Sequence, residues 1–115
     1  MKGGIHMTVK ELAKHMDMRV IVGPDLEREI KDCYLCDMLS FVMARAKEGD
    51  AWITVQTNIN VVAVASLADC ACIIIPEELP IEEATIEKAR GKDINLLSAR
   101  QTAFRIALEI GRQLS

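Results

Sequence analysis

Aromatic side chains are scarce in this chain of 115 residues: Tyr34, Phe41, Trp52 and Phe104 are the whole set, and they are scattered. Such scatter offers no platform on which bases could stack, and a formal charge of −3 with a pI near 5.4 offers no basic stripe. These absences argue against nucleic acid and against an anionic membrane surface as partners. No apolar run nears the roughly 20 residues of a membrane helix. The N-terminus also lacks the charged, apolar and small-residue segments of a secretory signal, so the expected location is the cytoplasm. Phosphate-binding loops are missing too. There is no GxGxxG, and the Gly91-Lys92 pair runs into Asp93 without the upstream glycine of a P-loop, which excludes kinase chemistry. No serine or cysteine is placed for a histidine to activate it, so the nucleophile–base pair of a covalent catalyst is lacking.

What is present is a folding composition. Hydrophobic residues make up 50% of the chain and charged ones 27%, a balance that does not stay disordered. At this length one domain is expected, burying roughly 65% of its unfolded surface. Residues 1–6, MKGGIH, hold two glycines and no periodicity. They read as a flexible leader or an expression-derived extension, with Met7 as a natural start and residues 7–115 as a single domain.

The pattern predicts ten elements in the order α-β-β-α-β-α-β-α-β-α. Thr8 and Glu11 fit a capping box for a helix over 9–16, with Val9, Leu12, Ala13 and Met16 on one face. A β-branched strand over 18–22 ends in the turn residues Gly23, Pro24 and Asp25. Residues 26–30 carry two apolar positions four apart and receive no assignment, and a short strand is read over 33–36. Asp37 is expected to cap a helix over 38–47, with Gly49 as its left-handed terminator. Two apolar runs, 52–55 and 70–75, break off into polar clusters: Gln56, Thr57 and Asn58 after the first, Pro76, Glu77 and Glu78 after the second. Runs of this kind read as strands buried on both faces. Between them, the valines of 59–65 favour a strand. Asn58 or Asn60 could cap a helix instead, and a strand there would leave no room for a crossover, so a helix is expected. Pro80 opens an acidic helix that stops near Gly91, with Glu82 and Glu83 at its positive end. A strand over 94–97 follows, and then Ser98 and Gln101 as a second capping box for a helix over 100–114. The fold class is α/β: a single-domain sandwich with a mostly parallel sheet flanked by helices.

Three stretches coincide with a known pattern. They are TVKELA followed by RVIVGPDLEREI, then AKEGDAWITVQTNINVVAVASL, then an apolar strand into PEELPIEEATIEKARGKDINLLSARQTAFRIA. Together, over residues 7–112, they resemble the DRTGG-domain family, which is related to the N-terminal, non-catalytic domain of HPr kinase/phosphorylase. The family also occurs as an accessory domain in some phosphotransacetylases and in regulated pyrophosphatases, and as small stand-alone proteins. The resemblance implies a regulatory α/β domain, often dimeric, without chemistry of its own. The family signature places Asp-Arg after one strand and Thr-Gly-Gly after the next. This chain has Gln56, Thr57, Asn58, Ile59 and Asn60 at the first place and Pro76, Glu77 and Glu78 at the second. The arginine and both glycines are absent.

In a parallel sheet, ligands lie beyond the carboxyl ends of the strands. Asp37, Gln56, Thr57, Asn58, Asn60, Ser98, Arg100 and Gln101 all follow expected strands, so they form the candidate ligand site. Two helix N-termini would supply free amides there and Arg100 a fixed positive charge. The alternative is that Asn58 and Ser98 only cap helices. The ligand class is a small anion or nucleotide-like molecule, with no cofactor.

Cys33 and Cys36 form CxxC, and Cys70 and Cys72 form CxC. Four thiols could hold zinc or an iron–sulfur cluster. In an extended segment, however, Cys33 and Cys36 point to opposite faces, while Cys70 and Cys72 share a side inside an apolar strand. Core packing is the preferred reading, with no metal site, and a metal- or redox-responsive protein is the alternative. His6 and His15 read as surface residues, and Glu77, Glu78, Glu82 and Glu83 as solubilising acids beside a helix dipole. The last helix carries Ala103, Phe104, Ile106, Ala107, Leu108, Ile110 and Leu114, more apolar surface than one sheet face covers. Either it is deeply buried or it meets a second copy, and a homodimer is expected. The function read from these features is a non-enzymatic regulatory or small-ligand-binding module acting through protein contacts. A small enzyme using the loops 56–60 and 98–101 is the second reading.

Overall fold

The computed structural model describes residues 7–115; the expected leader and His6 lie outside the described residues. The chain runs β1 (Met7–Thr8), α1 (Val9–His15), β2 (Arg19–Val22), β3 (Glu29–Ile30), β4 (Asp32–Leu35), α2 (Leu39–Arg45), β5 (Asp50–Ile53), α3 (Asn60–Ala68), β6 (Cys72–Ile75), α4 (Glu83–Gly91), β7 (Leu96–Ser98) and α5 (Ala103–Leu114). The main sheet has the order β2-β7-β6-β5-β4. Strands β4, β5, β6 and β7 are mutually parallel, and β2 runs antiparallel to β7. The expected class, a mostly parallel sheet flanked by helices, is what the chain adopts. Residues 26–30, unassigned from pattern, contribute β3, which pairs with β1 beside the main sheet.

Alternation along the central strands sorts their side chains into two cores. Ala51, Ile53, Cys72, Ile74 and Leu97 face α1 and α5, meeting Val9, Leu12, Ile106 and Ile110. Trp52, Ile73, Ile75 and Leu96 face the other way, onto Val42 of α2, the valines of α3 and Ala89 of α4. All four residues of β5 and all four of β6 are buried, as strands covered on both faces must be. The stretch over 59–65 is helical, so the crossover argument prevails over valine's strand preference. Asn58 Oδ1 accepts the Asn60 amide at 2.9 Å at the entry to that helix.

Several local expectations are corrected. The Thr8–Glu11 capping box forms as read, but its counterpart at Ser98 does not: Ser98 closes β7, and Thr102 caps α5 through the Arg105 amide at 3.3 Å. Asp37 does not cap α2, whose N-cap is Met38 without a side-chain bond. Gly49 takes φ 88° as foreseen, yet the chain is already extended at Ala46. Gly49 serves instead in a turn closed by the Asp50 amide on the Lys47 carbonyl at 3.0 Å. A Cβ there would lie 2.8 Å from Cδ of Lys31, so only glycine fits. Helix α4 begins at Glu83 rather than at Pro80. Finally, Cys70 lies before β6 and packs into the Trp52 core, whereas Cys72 packs into the opposite one.

Candidate functional site

Because four strands are parallel, the residues that follow them gather on one rim. The antiparallel β2 adds its own leading residues, Asp17 to Arg19, to the same rim. Two separate hollows open there, and they share no lining residue.

The first, about 180 Å³, lies at the ends of β4 and β5, between Leu35, Asp37, Thr54, Val55, Pro76 and Ala103. Its polar groups are engaged with one another. Oδ1 of Asp37 accepts from the Thr54 hydroxyl and from the Val55 amide, both at 2.9 Å. The Gln56 side chain donates to the Asp37 carbonyl at 3.2 Å, and Asn58 donates to Gln56 Oε1 at 3.0 Å. The Thr57 carbonyl accepts from the buried Thr85 hydroxyl at 2.7 Å. This network ties the β5–α3 loop to the end of β4 and brings no cation to the hollow.

The second, about 220 Å³, lies at the β2–β7 pair and is lined by Asp17, Met18, Arg19, Glu78, Ser98, Ala99 and Arg100. An adjoining hollow of about 150 Å³ shares Arg19, Glu78 and Ser98 and continues over Ile21, Leu79, Pro80, Ile81 and Ile86. Arg19 and Ser98 are direct strand partners, so both side chains rise on the α4 side of the sheet. Arg100 pairs with Asp17 at 3.0 Å. Gln101 donates to the Met16 carbonyl at 2.9 Å, while its Oε1 is buried without a partner.

The eight residues foreseen from sequence therefore share one rim but divide between its two halves. Asp37, Gln56, Thr57, Asn58 and Asn60 belong to the β4–β5 side, and Ser98, Arg100 and Gln101 to the β7 side. Sequence reading missed Arg19 and Asp17, because nothing in the strand over 18–22 revealed that it would run backwards beside β7; Glu78, read as a solubilising acid, lines the same hollow.

Between the halves stands a strained turn. Glu77 and Glu78 both have positive φ, 60° and 53°. The Leu79 amide bonds the Pro76 carbonyl at 3.3 Å, and the Glu77 and Glu78 amides bond the Gln101 and Ala99 carbonyls at 3.0 and 2.8 Å. Two successive left-handed residues normally call for glycine. This is where the family signature has Gly-Gly; in this chain two glutamates hold the left-handed backbone.

Elsewhere, ionisable groups are committed to structure. A larger hollow of about 280 Å³ lies between α1 and α5, beside Met7, Glu11 and His15. There Glu11 is held in the capping box and His15 Nε2 lies 2.8 Å from Glu109. At the pole opposite the rim, Arg28 joins Asp69 and Glu48 at 3.1 and 3.3 Å, and Lys31 meets Glu48 at 2.8 Å. The Lys31 hydrogen bond lowers the Glu48 pKa, and Glu48 in return raises that of Lys31. Burial pushes the Cys33 and Cys70 thiols up to about 12 and raises Cys72 further, so it favours the neutral thiol in all three. Cys33 and Cys36 belong to opposite cores. Among the described residues no three His, Cys, Asp or Glu side chains converge as a metal site.

Comparison with known proteins follows from this geometry. The DRTGG domain matches over residues 11–113, nearly the whole chain. The chain belongs to the DRTGG-domain family. DRTGG domains are regulatory modules rather than catalytic ones. Among solved structures, the CBS and DRTGG domains of the regulatory region of Clostridium perfringens pyrophosphatase share the fold, with a TM-score of 0.76 at 13% identity. That structure contains the activator diadenosine tetraphosphate. The match covers 93% of this chain and 47% of the other, so this DRTGG chain spans about half the length of its solved relative. No curated protein matches it. No helix among the described residues is long and apolar enough to cross a membrane.

Proposed function

We propose that this chain is a non-enzymatic regulatory module that binds a small anionic or nucleotide-like ligand at the carboxyl rim of its sheet. It acts in the cytoplasm, as a homodimer, through contact with another protein. The observation that carries the reading is the rim itself: a DRTGG fold in which strand-end loops surround two open hollows, one of them bearing two arginines. The pyrophosphatase regulatory region, which shares this fold, was captured with a dinucleotide activator, and that supports a nucleotide-like ligand here. The reading remains non-enzymatic because His15, the histidine within the described residues, is engaged with Glu109 and has no serine or cysteine as partner.

A thermal-shift screen of small anions and nucleotides tests the ligand. Binding raises the melting temperature by mass action, and Arg100→Ala is expected to abolish the shift. A complete screen without any shift overturns the proposal. For association, Phe104 is 63% exposed on α5, and Leu35, Met38, Phe41 and Val55 are exposed on or beside β4 and β5. Light scattering is expected to give about twice the chain mass of 12.8 kDa; a monomer mass at working concentration removes the dimer from the proposal.

A further inference from the structure

The two hollows of the rim are not equivalent, and their chemistry separates them. In the β4–β5 hollow every polar side chain that the loops bring in is bonded within the chain, and the charged group is a carboxylate, Asp37. An anion gains nothing there. The β2–β7 side carries two guanidinium groups, Arg19 and Arg100, beside the carboxylates of Asp17 and Glu78. Ser98 retains only 9% exposure, yet its hydroxyl makes no hydrogen bond among the described residues and lines both connected hollows. That hydroxyl opens onto the hollow, where its donor and acceptor capacity is free for a ligand. Directly across the strand pair stands Arg19, whose guanidinium has no carboxylate partner among the described residues. Arg100 completes the polar end, its charge shared with Asp17.

We propose that this hollow binds a nucleoside monophosphate, with the phosphate between Arg19, Arg100 and Ser98 and the base over Ile21, Leu79, Ile81 and Ile86. The proposal rests on the ligand-binding reading above and narrows it to one half of the rim and one ligand class. Three features select the class. One unpaired guanidinium and one already shared match a single phosphate, to which arginine presents two parallel donors; they do not match a triphosphate. Glu78 lines both compartments at their junction, where its carboxylate can accept from ribose hydroxyls, a role acidic side chains take in nucleotide sites. The second compartment is walled by aliphatic side chains and Pro80, which suits the face of a flat ring. With about 220 and about 150 Å³, the joined hollows reach the lower range of small-ligand sites, roughly 300–1,000 Å³.

The test is an NMR titration of the whole 15N-labelled chain with AMP, and with inorganic phosphate, adenosine and ATP as separate arms. AMP is expected to shift the amides of Arg19, Glu78, Ser98 and Ile86 in a saturable way. Phosphate alone should move only the polar end, adenosine only the aliphatic end, and ATP should bind more weakly than AMP. Arg19 is exposed, so Arg19→Ala leaves the fold intact, as its unliganded spectrum verifies. That change is expected to weaken AMP about tenfold or more, the worth of a charged hydrogen bond, and Arg19→Lys should recover part of the loss. Saturable shifts confined to residues 37 and 54–60 would overturn this placement and leave the wider ligand-binding reading standing. No saturable shift with AMP also overturns it, while the anion and nucleotide screen then judges the wider reading separately. Equal responses to phosphate and AMP would mean an adventitious ion only, and would overturn it as well.

Discussion

At Glu77 and Glu78 the chain holds two bulky residues in a left-handed turn, a conformation costing roughly 1–2 kcal/mol per residue for anything but glycine. Glycine would relieve that strain while adding freedom to the unfolded chain. Glu77→Gly and Glu78→Gly are therefore each expected to stabilise the fold by about 0.5–1 kcal/mol. A melting-temperature increase checks this, and a decrease would contradict the strain argument. Asp50 offers a second test. Its carboxyl is 2% exposed, with Oδ2 on the Lys47 amide at 2.7 Å and Oδ1 unpartnered, and burial raises its pKa. A carboxyl with a raised folded pKa binds more protons folded than unfolded just above its ordinary range, so its contribution falls as pH rises. Asp50→Asn removes that pH-dependent cost. Its stability relative to the natural chain should improve from pH 3.5 to pH 7, as denaturant unfolding at each pH would show. A constant difference would place the effect in packing rather than charge.

Among the elements, caps are where sequence reading and structure part company most visibly. The Ser98 to Gln101 spacing satisfies the capping-box rule, but residue 98 is drawn into β7 by pairing with both Ile75 and Arg19. The helix then waits for Thr102. Thr102→Ala is accordingly expected to cost about 1 kcal/mol through loss of the cap, with reduced helicity near Ala103, while Ser98→Ala leaves α5 intact. Asp37 shows the same competition: tertiary bonds to Thr54 and Val55 outbid its local role. What pattern does make legible is burial. The runs over 52–55 and 70–75 announce strands covered on both faces, although β5 spans Asp50–Ile53 and leaves Val55 exposed and β6 is confined to Cys72–Ile75, and the length between them announces a crossover helix. Strand direction at the sheet edge is not encoded in such runs, and this is why Arg19 escaped notice as a rim residue.

For the molecule as a whole, the two cores divide the thiols. Cys33 and Cys72 lie on the α1–α5 side, Cys36 and Cys70 on the other. Cys33 and Cys36 are partly exposed, whereas Cys70 and Cys72 are buried, and burial raises the Cys33 thiol to about 12. Alkylation of the native protein should thus label Cys36 ahead of Cys33, and Cys70 and Cys72 only on a timescale set by unfolding. Rapid labelling of Cys70 and Cys72 would contradict their burial. Trp52, fully buried with its indole N–H on the Cys36 carbonyl at 2.9 Å, anchors the opposite core. Trp52→Ala is expected to cost about 3–5 kcal/mol, enough to unfold a marginal domain.

Strand β2 has a single neighbour in the sheet, and that neighbour is β7. During synthesis, Val20, Ile21 and Val22 leave the ribosome ahead of β7 and have no mate until residue 98 has been added. Over that interval they form an unpaired strand edge. A chain cut short before β7 should therefore aggregate or fall to proteases, since Arg19 and its strand neighbours would have nothing to pair with.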